Sequence, residues 1–246
     1  GDTPIYVVSD PALAHEILVE RAKEFHKAAL VRHAVGPFAG NGLFLNEGDS
    51  WRRQRKLAQP AFHHQRIEAY GATMVQQTLD LLADWQPDAT RDIAHEMTKL
   101  TLGIVNKTLF NVDVRAQADH IGELMTTVLA GAEDRLNNYN PIWGRLFQRK
   151  QRREAAAIQE LFTLIEGIIA DHRQHGADSG DLLSMLLAAR DEEGNPMSAQ
   201  QLRDEVITLF VAGHETTANA LAWAFYLVAQ HPEVEAKLAQ EVATLQ

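Results

Sequence analysis

The chain reads as a mainly α-helical fold with minor β structure, built around one long central helix. Three features of its 246 residues predict this. Apolar residues recur at i, i+3 and i+4 through most of the chain, the mark of amphipathic helices. Signals for β-strands are few, the first being the β-branched run at residues 5–8. Between Ser198 and Pro232, Gly213 is the single helix breaker, leaving about 30 residues, or roughly 45 Å of helix at 1.5 Å per residue.

Taken in order, IYVV at 5–8 is an expected strand, closed by Ser9-Asp10-Pro11. The same tripeptide supplies an N-cap followed by proline at the first helical position. Leu13, Ile17, Leu18 and Ala22 then share the face that the following helix is expected to bury. The glycine-rich stretch VGPFAGNGLFLNEGD at 35–49 is an expected loop. Asp49 or Ser50 caps the next helix, through WRRQRKLAQPAF, with Pro60 disturbing its end. Further helices are expected at about 65–84, 93–110, 116–136, 152–174 and 181–190, with a turn at 139–144 and a solvated basic face at 145–153. Gly194 and Pro196 stop anything upstream from running into the long helix, which opens on the S-x-x-Q capping box of Ser198 and Gln201. Its second half, ALAWAFYLVA at 220–229, is apolar on every side and therefore needs protein around it. The helix after Pro232 is expected to bury Val234, Leu238 and Val242.

No linker or repeat divides the chain, so one domain over 1–246 is expected. It has no cysteine, which excludes disulfides and thiolate metal sites formed by these residues. With 33 acidic against 23 basic residues, the net charge is −10, and nothing global favours nucleic acid or anionic lipid. No apolar run reaches the roughly 20 residues of a membrane span, and no signal-peptide pattern opens the chain. A cytoplasmic protein is the expectation. The chain begins at Gly1 and stops at Gln246 within a helical pattern, so it reads as a fragment.

VITLFVAGHETTANAL at 206–221 places an acid and two hydroxyls at the waist of the most apolar helix. A buried glutamate is rare unless paired. Gly213 costs about 1 kcal/mol relative to alanine in a helix interior, so it has a packing or access reason. Ala212 and Gly213 leave one face short of side-chain volume, room for something flat. Thr216 can turn its hydroxyl to the Ala212 carbonyl and loosen that turn. Together these are parts of a proton relay to a bound small molecule. A structural pair between Glu215 and an arginine is the alternative. His214-Glu215 does not complete the H-E-x-x-H zinc motif, because Ala218 stands where the second histidine belongs.

AGHETT at 212–217 resembles the [AG]-G-x-[DE]-T-[TS] signature of the cytochrome P450 haem-thiolate monooxygenases, which average composition produces by chance in about one chain of this size in several hundred. Trp51-Arg52-Arg53-Gln54-Arg55 is similar to that family's W-x-x-x-R helix, about 160 residues upstream. The resemblance implies that Trp51 and Arg55 contact a propionate of haem (heme b), that Ala212 and Gly213 give the haem clearance, and that Glu215 and Thr216 relay protons. Phe44 would reach over the haem beside the substrate, and Trp143 and Phe147 would line the substrate channel. Arg52, Arg53 and Lys56 remain as a solvated or partner-facing patch. The implied reaction activates O₂ at iron and inserts one oxygen atom into a small apolar organic substrate. Electrons would come from a redox partner, a ferredoxin or a flavoprotein reductase.

The sequence departs from the family in lacking the cysteine that ligates iron and the E-x-x-R pair of the proximal side. Substitution by His63, His64 or His214 fails, since all approach from the distal side or periphery. The expectation is an incomplete P450-like domain, inactive alone, with its 220–229 faces uncovered and poor solubility without haem and a partner. The alternative reading is a non-catalytic helical remnant that binds an apolar ligand or partner without iron.

Overall fold

The computed structural model describes residues 4–113, 117–137, 148–175 and 180–244. After a short N-terminal helix α1 (Pro11–His15) and a π-helical turn (Glu16–Glu20) come α2 (Ala29–Ala39), α3 (Gly48–Ala58), α4 (His64–Ala83) and α5 (Ile93–Phe110). They are followed by α6 (Ala118–Asn137), α7 (Gln148–His175), α8 (Leu182–Ala188), α9 (Ala199–Gln230) and α10 (Pro232–Thr244).

The long helix is α9. Ser198 caps it as expected, its Oγ accepting from Gln201 N at 3.1 Å. The reciprocal half of the capping box is not made. The Gln201 side chain instead donates to Asn41 O at 3.2 Å and to Glu205 Oε1 at 2.7 Å. Helix α5 is the main partner of α9, α6 packs on α7 and α2, and α4 lies along the other side of α5. One core runs through Phe110, Met125, Leu161, Ile165, Leu202, Ile207 and Phe210. Asp92 and Asp181 cap α5 and α8, accepting from His95 N and Ser184 N. At its far end α5 closes on Asn111, a left-handed C-cap with φ of 50°.

Several expectations need correcting. Residues 5–8 form no strand, and Ile5, Tyr6 and Val7 are exposed. A strand is stable only when its backbone groups find a partner, and the described residues contain just an isolated bridge, Arg190 with Pro196. The face of Leu13 and Leu18 is likewise not buried, although Asp10 caps α1 as expected, accepting from Leu13 N at 2.9 Å. Part of the expected 35–49 loop is helix, because α2 runs on through Pro37 to Ala39. Proline costs about 3 kcal/mol inside a helix, and burial of Ala34, Phe38 and Ala39 offsets it. Helix α3 starts before Asp49 and Ser50, with Glu47 at the N-cap position and no side-chain cap. Val234, Leu238 and Val242 are exposed, since α10 meets α9 where α9 has already left the helix pack. The uncovered 220–229 surface is there, with Trp223, Phe225, Tyr226 and Leu227 all about half exposed or more. The expected turn at 139–144, and Trp143 and Phe147 with it, lie outside the described residues.

Candidate active site

The motif sits where α9 passes from packed to open. Leu202, Val206, Ile207 and Phe210 are buried against the core, whereas Ala212, Thr216 and Ala220 face outward along one line. Thr216 Oγ1 donates to Ala212 O at 2.9 Å, as its position four residues on allows, and Thr217 Oγ1 donates to Gly213 O at 3.2 Å. The helix remains α-helical from Ala199 to Gln230 despite these two back-bonds, so the expected loosened turn is not formed.

Gly213 does not share the face of Ala212. A Cβ on it would lie 2.9 Å from Val105 Cγ2, so the glycine lets α5 approach α9. Ala212 alone supplies the low relief on the open side.

No arginine reaches Glu215 among the described residues. One carboxylate oxygen accepts from Asn219 Nδ2 at 3.1 Å, and the other lies 3.7 Å from His214 Nε2. His214 is fully buried beneath the motif, and burial holds its imidazole below the usual histidine range.

Trp51 and Arg55 occupy one face of α3, with the Arg55 guanidinium 5.2 Å from the indole ring centroid. Among the described residues Arg55 has no carboxylate partner. Its neighbours do, on a face that is solvated as expected: Arg52 pairs with Asp49, Lys56 with Glu192 at 2.8 Å and Arg53 with Asp191 at 4.0 Å. The last two pairs tie α3 to the turn after α8. The pairs of Arg52 and Lys56, exposed on both sides, contribute little to stability.

Sequence reasoning missed the clamp that holds the segment carrying Phe44. Asp204 Oδ2 accepts from Asn41 N at 2.9 Å and Glu205 Oε2 from Leu43 N at 2.9 Å, both from buried positions on α9. Gly40 and Gly42 permit the approach, because a Cβ on Gly42 would stand 2.1 Å from Thr208 Oγ1 and 2.5 Å from Asp204 O. From the other side Lys27 Nζ donates to Asn46 O at 2.7 Å and Arg32 to Leu45 O at 2.8 Å. Leu45 is buried and Phe44, beside it, projects outward at 53% exposure. Adjacent acids between Leu202 and Val206 were the available signal, since two carboxylates in a buried stretch need donors from somewhere.

The cytochrome P450 profile matches residues 1–245. The chain belongs to the cytochrome P450 family. Cyclooctatin synthase of Streptomyces melanosporofaciens is 36% identical to it over 98% of this chain and 53% of that protein. Cyclooctat-9-en-7-ol 5-monooxygenase of the same organism is 33% identical over 98% and 53%. Pentalenene oxygenase of Streptomyces avermitilis is 31% identical over 100% and 54%. The chain thus spans about half the length of the curated relatives it matches. Among the described residues no helix is long and apolar enough to cross a membrane.

Haem is the cofactor that the family implies. The donor set on α3 fits a propionate: an indole N–H and a guanidinium fork with no internal carboxylate, one turn apart. The open line of Ala212 and Thr216 fits a flat ligand, and the uncovered apolar surface beyond it has the right chemistry for a porphyrin edge. An axial thiolate is another matter, because none of the 246 residues is cysteine.

Proposed function

We propose that these residues form the distal wall of a haem monooxygenase that oxidises a small apolar organic substrate. The observation that carries the reading is the face of α9, where Ala212 leaves clearance and Thr216 stands one turn on with its hydroxyl held by Ala212 O. Haem-thiolate iron, when bound, supplies O₂ activation, with electrons from a ferredoxin or flavoprotein reductase. Trp51 and Arg55 hold a propionate. Glu215, about a third open to solvent and paired with no arginine among the described residues, exchanges a proton with water, and Thr216 Oγ1 passes it toward the open face. Phe44 closes the substrate side, kept in place by Asp204 and Glu205. Apolar substrates are supported by the relatives named for pentalenene and cyclooctat-9-en-7-ol.

The thiolate comes from residues outside these 246, and the chain alone is inactive. The test is the reduced, CO-treated spectrum of the complete gene product. A thiolate-type red-shifted Soret band is expected. A product that takes up no haem overturns the reading and leaves a helical remnant that binds an apolar ligand or partner without iron. Given the band, Thr216→Ala should divert electrons from product to hydrogen peroxide, and unchanged coupling would remove Thr216 from the relay.

A further inference from the structure

His214 carries no role in the reading above, yet it sits inside the motif on α9. It is fully buried. Its Nδ1 lies 3.1 Å from Phe210 O, and since a carbonyl only accepts, this contact places the ring proton on Nδ1. Nε2 is therefore a bare acceptor, and it finds no donor among the described residues. Such an atom in a dry interior is rare, because burying an unpaired acceptor is costly.

The nearest candidate donor is next in sequence. Glu215 Oε2 lies 3.7 Å from Nε2, just beyond hydrogen-bond range, and its side chain keeps about a third of its surface exposed, so it has room to rotate. The two protonation states of Glu215 meet the imidazole differently. A carboxylate would turn lone pairs toward the Nε2 lone pair. A protonated carboxyl would donate to it and satisfy the orphan atom.

We propose that His214 is a positioning residue for Glu215: its Nε2 accepts from the protonated carboxyl and holds that acid inward, one residue from Thr216. The inference rests on the relay reading for its purpose, though not for its geometry. Burial keeps the imidazole neutral, so the ring serves as an acceptor and does not take the proton itself. Glu215 is the charged group that bears on the ring. Across the interface, α5 presents Val105 and Phe110 at this level, neither of which titrates. Asn219, on the same face of α9, holds the other carboxylate oxygen in the outward arrangement. The proton thus has two places to rest, outward in contact with water or inward on the His214 side.

The test reads the ring nitrogens of His214 by ¹⁵N NMR in the complete gene product, with the resonance assigned by its loss in His214→Phe. Glu215→Gln offers Nε2 a permanent amide donor, whereas Glu215→Ala offers none. The Nε2 signal is expected to shift upfield in Glu215→Gln relative to Glu215→Ala, with the Nδ1–H tautomer kept in both. The same Nε2 shift in both variants, or a proton on Nε2, overturns the proposal. In the haem-loaded protein, His214→Phe should lower the coupling of electron use to product toward the level of Glu215→Ala. A clear NMR shift with full coupling in Glu215→Ala would sink the relay and leave the contact standing. Reduced coupling in Glu215→Ala with no NMR shift would leave the relay standing and remove His214 from it.

Discussion

Replacing Gly213 by alanine decides whether that glycine serves packing or ligand access. In an open helix interior the change would stabilise the protein by about 1 kcal/mol, because glycine loses more backbone entropy than alanine. Here the new Cβ would lie 2.9 Å from Val105 Cγ2 and 3.6 Å from Cγ1. Valine has essentially one comfortable rotamer in a helix, so the methyls cannot swing away and the backbones must separate. Overpacking of this kind costs roughly 1–3 kcal/mol, and the net effect of Gly213→Ala is a loss of about 0–2 kcal/mol. Val105→Ala removes the clashing Cγ2 methyl, and Cγ1 with it, from a site that is 7% exposed, at its own cavity cost of about 2 kcal/mol. In that background Gly213→Ala should stabilise by about 1 kcal/mol through propensity alone, with a further gain as the new methyl fills space. Urea unfolding of the four proteins in the cycle, made in the complete gene product, should give a coupling of about 1–3 kcal/mol. If Gly213→Ala stabilises equally in both backgrounds, the glycine borders open space and the packing argument is wrong.

Gly42→Ala should cost more than Gly213→Ala and resist rescue, because its Cβ would meet the Asp204 carbonyl at 2.5 Å as well as the Thr208 hydroxyl; expelling the segment would also strain charge-assisted hydrogen bonds worth about 1.5–3 kcal/mol each, and Thr208→Ala should recover only part of the loss in thermal melts. Burial pushes the Glu205 carboxyl above its usual range, against hydrogen bonds from Leu43 and Gln201 that pull it down. A raised folded value means that the native state binds more protons than the unfolded one, so this residue's contribution falls as pH rises from the ordinary carboxylate value near about 4.3. Glu205→Gln should flatten that slope, whereas Glu205→Ala should cost about 1–3 kcal/mol at neutral pH by orphaning Leu43 N–H; parallel slopes in wild type and Glu205→Gln would refute the assignment. The depressed His214 value has the opposite sign: the unfolded state takes up a proton as pH falls below about 6.5 and the native state does not. Stability should therefore drop on that side and do so less in His214→Phe. Between α6 and α7, Glu154 is largely buried beside Arg135, which also donates twice to Ala34 O. Glu154→Ala should destabilise by about 3 kcal/mol in chemical unfolding by leaving the guanidinium short of its counter-charge.

What could be read from the sequence follows what is local. The extents of α4, α5 and α9 depend on apolar spacing, capping residues and proline, all within a few positions of one another, and these came out nearly to the residue. The back-bond from Thr216 to Ala212 was readable for the same reason, since it spans one turn. Failures arose wherever a distant partner decides the outcome. Residues 5–8 have strand composition, but the partner strand that would make them one is not among the described residues. Pro37 marks a break by local rules, yet burial of Phe38 and Ala39 overrides it. The role of Gly213 depends on Val105, 108 positions away, and the clamp on Asn41 and Leu43 spans more than 160. A carboxylate pair in an apolar stretch announces that donors exist without saying where.

The split character of α9 explains why one helix carries both the strongest packing signal and the candidate site. From Leu202 to Phe210 it is a core element, with two buried carboxylates satisfied by backbone N–H groups of the segment before α3. From Trp223 onward it is apolar and half exposed. The motif lies between, where Gly213 brings α5 close on one side while Ala212 and Thr216 stay open on the other. A helix packed along its whole length would bury Thr216 in side chains, and one open along its whole length could not hold the hydroxyl to a fixed place. Rigidity is supplied from behind, by Val105, Phe110 and the His214 ring tilted against Phe210, so that the exposed groups, bonded only within α9, keep their positions. This arrangement predicts a polarity of effect that neither half alone would show. Substitutions behind the helix, such as Phe110→Ala, should cost several kcal/mol of stability, whereas Thr216→Ala, on the open face, should leave unfolding nearly unchanged while altering what the assembled site does with its electrons.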